Sequence, residues 1–318
     1  MMNQHGMRHE AGKRDGDIRV NGAAARHGGD PARDGTACDR RAEARRGLVV
    51  YLGILLALSV PLYVVLAARE LPVSRQPGLI ILLMWSPAIA AVVTRLLLRE
   101  GFKGIGLAVL GRASLRPIAT ALLLPVAVGV VSYGAAWGFG LASFSPAPGA
   151  AAAGTAGIAR AVLLAVLAGT PLGIVMVAGE EIGWRGYMAE RLRSAGIFAP
   201  GVVGGLIWAA WHTPLILTGQ YAGGPYVLVS VFGFAMLAVG LHLLWSEWLC
   251  GTGSLWPAII GHSAWNAVIQ HPFDGHTVGE AASLWVGDSG LLTAGLCLVL
   301  AGLLVRFRRG NEEKGGRV

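Results

Sequence analysis

Charge is what this chain of 318 residues has least of: 14% of its residues are Asp, Glu, Lys or Arg, against about 25% in soluble domains. The shortage is uneven, because 17 of the 44 charged residues fall in the first 47 positions and 27 remain for the other 271. That is too few to cover a soluble surface, and a 54% hydrophobic content with a mean hydropathy of +0.58 agrees. Cysteine is scarce as well: Cys38, Cys250 and Cys297 stand far apart, which excludes a disulfide framework or a thiolate metal spacing. The two halves show no matching hydropathy, so an inverted-repeat transporter has no positive support. No cleavable leader is expected, since the first apolar run starts near residue 48, behind a charged segment, and further runs follow.

What the chain does have is long apolar runs. A membrane-spanning helix needs roughly 20 predominantly apolar residues, and eight runs approach this: 48–68, 77–98, 117–141, 159–178, 198–218, 225–245, 255–270 and 289–307. The fourth is expected to continue as helix to about Leu192, with a kink at Gly169-Thr170-Pro171. The expected fold is all-α, a multi-pass membrane protein of about eight transmembrane helices. Residues 1–46, rich in Gly, Ala, Arg and Asp, are read as a disordered charged tail; 47–309 as one transmembrane domain; and 310–318 as a polar C-terminal tail. With both termini cytoplasmic, 13 of the 16 Lys and Arg residues after position 47 fall on the inner side, the bias expected of an even number of spans. The net charge of +8 is thus explained by topology in the cell membrane and does not call for nucleic acid.

Against that background two adjacent carboxylates stand out. Glu180 and Glu181 follow directly on an apolar run, although a charge at the centre of a spanning helix costs roughly 2.5–3.5 kcal/mol on insertion scales. Arg185 is four residues beyond Glu181, on the same helical face, where an ion pair would partly neutralise both. Glu180 has no such cation: Trp184 is its i+4 neighbour. Two further spans carry polar pairs at the same spacing, Trp208 with His212 and His262 with Asn266. Each alone reads as structural: an ion pair at a helix end, a packing histidine, interhelical hydrogen bonding worth about 0.6 kcal/mol. Such packing does not need two carboxylates, two imidazoles and an amide at similar depth in three spans.

Hydrolysis suits the set. A carboxylate in a low-dielectric cavity can act as general base toward water, an imidazole can orient that water or bind a metal, and an amide N–H can donate to a developing oxyanion. Two histidines and one glutamate also meet the ligand count of a catalytic zinc site, with Glu180, His212 and His262 as candidate ligands, yet there is no His-Glu-x-x-His run and Asn266 is a poor zinc ligand. His242 is expected to be a packing or interfacial residue. Trp245, Trp248, Trp256 and Trp265 are read mostly as interfacial aromatics, and Trp184 and Trp208 as possible cavity walls.

In order and placement, Glu180-Glu181-x-x-x-Arg185, Trp208-x-x-x-His212 and His262-x-x-x-Asn266 resemble the signatures of the CPBP family, the CAAX prenyl protease and bacteriocin-processing (Abi) group of intramembrane proteases. Thr252-Gly253-Ser254-Leu255-Trp256-Pro257 adds to the likeness, which covers about residues 165–270. Trp184 and Trp208 stand where Phe is usual. The resemblance implies an intramembrane endopeptidase with a cavity open to the cytosol, acting on a peptide or protein at the lipid bilayer, with lipidation of that substrate undetermined. It implies Glu180 as the water-activating base, His212 as its partner, His262 and Asn266 as oxyanion donors, and Glu181 and Arg185 as supports. A zinc ion and a metal-independent glutamate mechanism are both compatible with it. The competing reading is a non-proteolytic immunity or peptide-binding membrane protein of the same fold.

Overall fold

The structure, a computed structural model, describes residues 31–69, 75–107, 114–146 and 154–315. Contacts divide the chain into residues 1–38 and 39–318, and apart from the start of the first helix everything below concerns the second unit. Its helices are α1 Pro31–Ala68, α2 Pro77–Leu98, α3 Leu115–Gly138, α4 Gly154–Leu164, α5 Thr170–Gly183, α6 Ala189–Ser194, α7 Pro200–Leu217, α8 Val227–Thr252, α9 Trp256–Val268, α10 Ala282–Trp285 and α11 Leu291–Gly315. Two short strands, β1 Ser143–Phe144 and β2 Thr277–Val278, pair antiparallel and tie two distant loops together.

The protein is an all-α, multi-pass membrane protein. Among the described residues seven helices are long and apolar enough to cross a membrane. Leu123, Val130, Leu167, Leu172, Leu228 and Phe232 lie exposed on them, the reverse of a soluble surface and the surface a lipid solvent requires. The run expected as the short seventh span behaves differently. It forms α9, 13 residues long, continues through a π turn at Ile269–Phe273, and packs against α3, α5 and α8. A helix buried nearly all round belongs inside a bundle.

The fourth run forms one continuous helical rod. The expected irregularity falls where Gly169 and Pro171 suggested: a π turn spans Ala165–Gly169, and Thr170 donates to the Ala165 carbonyl at 3.2 Å. A second π turn, Trp184–Met188, follows the glutamates. Such turns are frequent at functional sites. α2 lies directly on this rod because Gly179 and Gly183, four apart, present no side chain. A Cβ at Gly179 would stand 2.7 Å from the Met84 carbonyl oxygen, and one at Gly183 2.6 Å from the Pro87 carbonyl carbon. Small residues at this spacing are what lets apolar helices pack closely in lipid, and here they bracket Glu180 and Glu181.

Two tail boundaries differ from expectation. α1 begins at Pro31, so residues 31–46 are helical, whereas 1–30 lie outside the described residues. Ala, Glu and Arg are good helix formers, and within the second unit Arg45 donates to the Ala195 carbonyl at 3.3 Å. At the other end α11 runs to Gly315 through most of the expected polar tail. The tryptophans also need correction. Trp245, Trp248 and Trp265 are buried, and the ring contacts of Trp245 and the hydrogen bond of Trp265 described below hold these two in the interior.

Candidate active site

Glu180 and Glu181 occupy the last turn of α5, where consecutive positions point to different faces. Their exposures are 2% and 0%. The Glu180 carboxylate accepts two indole N–H bonds on one oxygen, Oε2: from Trp208 at 2.9 Å and from Trp184 at 3.3 Å. The other oxygen is left for the cavity that Glu180 lines. The i+4 relation of Trp184 thus supplies a neutral donor where Glu181 has a cation.

Glu181 faces the other way. Its Oε1 accepts from Arg185 Nη1 at 2.8 Å and contacts His262 Nδ1 at 2.7 Å. The Arg185 guanidinium lies 4.4 Å from the Trp208 ring centroid and 4.8 Å from that of Trp245, so two aromatic faces share a charge that water cannot reach. Trp245 also stacks on His262, centroids 4.9 Å apart.

The two imidazoles are held alike. His212 Nδ1 lies 3.1 Å from the Trp208 carbonyl oxygen. A carbonyl only accepts, so this nitrogen carries the proton and Nε2 of the neutral ring presents its lone pair. His262 with Glu181 at Nδ1 follows the same rule. Asn266 is oriented from its own helix: Gln270 Nε2 donates to Asn266 Oδ1 at 3.3 Å, which leaves the Asn266 NH₂ as its free donor.

Glu180, His212, His262 and Asn266 line one cavity of about 400 Å³, together with Ile80, Leu83, Met84, Met176, Val177, Trp211, Leu215, Tyr221, Gln270 and His271 among others. All four residues expected to do chemistry are therefore brought together, and Glu181 and Arg185 stand behind them. The lining is otherwise largely apolar, as expected of a pocket with few convergent polar groups. Along α2 the lining residue Ile80 lies near the end remote from Arg95, whereas Gly173 falls near the middle of the rod of α4 to α6.

Sequence reasoning missed Tyr221, Gln270 and Asp288. Asp288, in the connection between α10 and α11, is 7% exposed and accepts from Trp265 at 2.8 Å, Tyr221 at 2.6 Å and Gln270 at 2.8 Å. The available signal was Gln270, a polar residue four beyond Asn266 on an apolar helix. His242 is fully buried in α8, where a Cβ at Gly204 of α7 would come within 2.4 Å of its Nε2. His271 lies in the π turn and lines the cavity.

As placed, the zinc candidates do not converge: among the described residues no three His, Cys, Asp or Glu side chains are grouped so as to hold a metal ion.

Residues 159–268 match the model of the Rce1-like family, type II CAAX prenyl endopeptidase. The family resemblance read from the motifs is thereby shown. The matched segment contains every residue of the three motifs, from Glu180 to Asn266. The chain is also 31% identical, over 72 residues, to a protein named CAAX prenyl protease 2 from Methanococcus maripaludis. That alignment covers 21% of this chain and 27% of the archaeal protein, so the chain spans about a quarter of that relative's length.

Proposed function

We propose that the protein is an intramembrane endopeptidase of the CAAX-protease type, in which Glu180 activates the attacking water. The observation that carries this is the asymmetry of Glu180. One oxygen is fixed by two indole donors, and the other is free toward a cavity shared with two imidazoles and an amide.

The chemistry follows from the donors and acceptors. Glu180 takes a proton from water as the water oxygen attacks the scissile carbonyl carbon, and His212 Nε2 accepts the second water hydrogen and orients it. Negative charge moves to the carbonyl oxygen. The Asn266 NH₂ donates to it, and His262 adds a donor when a proton sits on Nε2, the state whose charge the Glu181 carboxylate balances. Glu180 then hands its proton to the departing amine nitrogen, the C–N bond breaks, and the carboxylate is restored. The aromatic faces that enclose Arg185 keep Glu181 and His262 in register without exposing the charge.

The substrate of this reading is a peptide segment at the membrane whose apolar part fits the largely apolar cavity, with a lipid-modified terminus as one candidate. The positive-inside bias favours cytoplasmic termini.

The test uses purified protein in detergent with a fluorogenic prenylated peptide, with and without chelator. Cleavage that ignores chelator and vanishes in Glu180→Gln is expected. Normal cleavage by Glu180→Gln would overturn the role of that residue. Chelator-sensitive cleavage with stoichiometric zinc would transfer the chemistry to a metal held by Glu180, His212 and His262.

A further inference from the structure

The search for a role beyond the three motifs leads to a carboxylate that lies outside the Rce1-like match, 22 residues past Asn266 in the sequence. Asp288 sits in the connection between α10 and α11, yet its two oxygens serve three donors from two other elements. Oδ1 accepts from the Trp265 indole at 2.8 Å, and Oδ2 from the Tyr221 hydroxyl at 2.6 Å and from Gln270 Nε2 at 2.8 Å. Two of these donors touch the site directly. The Gln270 amide also donates to Asn266 Oδ1 at 3.3 Å and to the Tyr221 oxygen at 3.3 Å. The Tyr221 ring packs on the His212 imidazole, centroids 5.5 Å apart.

The logic of hydrogen bonding gives this arrangement a direction. A carboxylate only accepts, so Asp288 fixes which end of the Gln270 amide faces it: the NH₂. One Gln270 hydrogen goes to Asp288, and the other is shared by Asn266 Oδ1 and Tyr221. Because Asn266 Oδ1 is thereby engaged, the Asn266 NH₂ is the end presented to the cavity. Without Gln270 the Asn266 amide could turn over and offer an oxygen, a repulsive partner for a developing oxyanion. A residue that only anchored its loop would not need to reach both Asn266 and the ring beside His212.

We propose that Asp288 and Gln270 are positioning residues: through Gln270, Asp288 holds the Asn266 amide with its NH₂ toward the cavity, and through Tyr221 it braces His212. The proposal rests on the proteolytic reading for its consequence, but its geometry can be tested without activity. Asn266 is the only asparagine between Asn21 and Asn311. Selective ¹⁵N-asparagine labelling therefore gives a side-chain NH₂ signal that Asn266→Ala identifies by its loss.

In Gln270→Leu the Asn266 NH₂ signals should move and broaden, and kcat should fall about tenfold with KM unchanged, the pattern of a lost transition-state interaction. In an Asn266→Ala background the same change should cost nothing further, because Gln270 acts through Asn266. Asp288→Leu, which removes both acceptor oxygens at similar size and adds no second asparagine, should reproduce the spectral change, and it serves as the second variant if Gln270→Leu does not fold. Asn266 signals untouched by both substitutions would overturn the proposal. So would a Gln270→Leu loss that multiplies that of Asn266→Ala. A wild-type protein that cleaves no peptide would sink the proteolytic reading alone, and the spectrum would still decide the positioning.

Discussion

One helical rod carries two kinds of ion pair within three turns, and the difference between them locates the site. Glu181–Arg185, at 2.8 Å, has both side chains fully buried. A few residues on, Arg193–Glu190 at 3.0 Å leaves the two side chains 35% and 60% exposed, and Arg191 reaches across to Glu100 on the edge of α2 at 2.6 Å. The outer pairs cost little to form because water still reaches them, and for the same reason they contribute little. The inner pair carries a desolvation cost that its mutual attraction need not repay. A chain keeps such a pair where it holds something else, and here the shared Glu181 oxygen also holds His262. The neighbour Glu180 completes the contrast, because two indoles stand in for the cation. It is buried and bonded, yet its other oxygen has no hydrogen-bond partner among the described residues.

The largest effect should come from that free oxygen. Glu180→Gln keeps an acceptor for both indoles, so its thermal midpoint should stay within a few degrees of wild type. Cleavage should nevertheless fall about a thousandfold, within the span of a lost general base. A variant that unfolds would mean that Glu180 is structural, like its neighbour.

Arg185→Leu probes the structural half of the contrast. It leaves Glu181 buried with no cation, and the expected loss is about 3–5 kcal/mol of stability, read by thermal denaturation in detergent. The double change Glu181→Leu with Arg185→Leu should recover much of that loss, because the cost lies in the unpaired charge. A single-variant loss no greater than that of the outer pairs would erase the distinction between them.

Glu100→Gln supplies the other arm. Its partner Arg191 is part-exposed and Tyr187 also donates to it at 3.2 Å, so the expected cost is at most about 1 kcal/mol. The cost should shrink further as salt is raised, since screening acts on exposed charge.

The same contrast explains what could be read from the sequence. Glu180, Glu181, Arg185, His212, His262 and Asn266 were legible because a polar residue in an apolar run is costly, and because i,i+4 spacing places pairs on one helical face. The long spans were legible for the converse reason. Asp288 was not, since an acidic residue in a loop carries no such cost in the sequence and its burial depends on the packing of α10 against α8 and α11. The tryptophans misled because aromatics favour both interfaces and interiors. Trp245 and Trp265 are inside because Arg185 and Asp288 give them polar partners. The helical start at Pro31 escaped because the low apolar content near the terminus was weighed as ordering entropy, while the helix propensity of its Ala, Glu and Arg residues was not.

The last contrast concerns a carboxyl that pairs with neither a cation nor an indole. Asp274 accepts a hydrogen bond from Tyr133 and lies against Gly287, at the far end of the molecule from Arg191. Desolvation pushes its carboxyl up from an ordinary value of 3.8 to about 7; the Tyr133 bond opposes the rise and the charge of Asp288 adds to it. A raised value means that the folded protein holds a proton which the unfolded chain has already released. The associated stability is therefore full below about 4 and is lost as pH rises through 7, the opposite slope to that of a salt-bridged carboxylate. The wild-type thermal midpoint should drift downward across that window, and Asp274→Asn, which can still accept from Tyr133, should flatten the drift. A midpoint that rises over the same window would show that Asp274 behaves like the outer glutamates, and the separation between a solvated carboxylate and a desolvated one would not extend to this end of the protein.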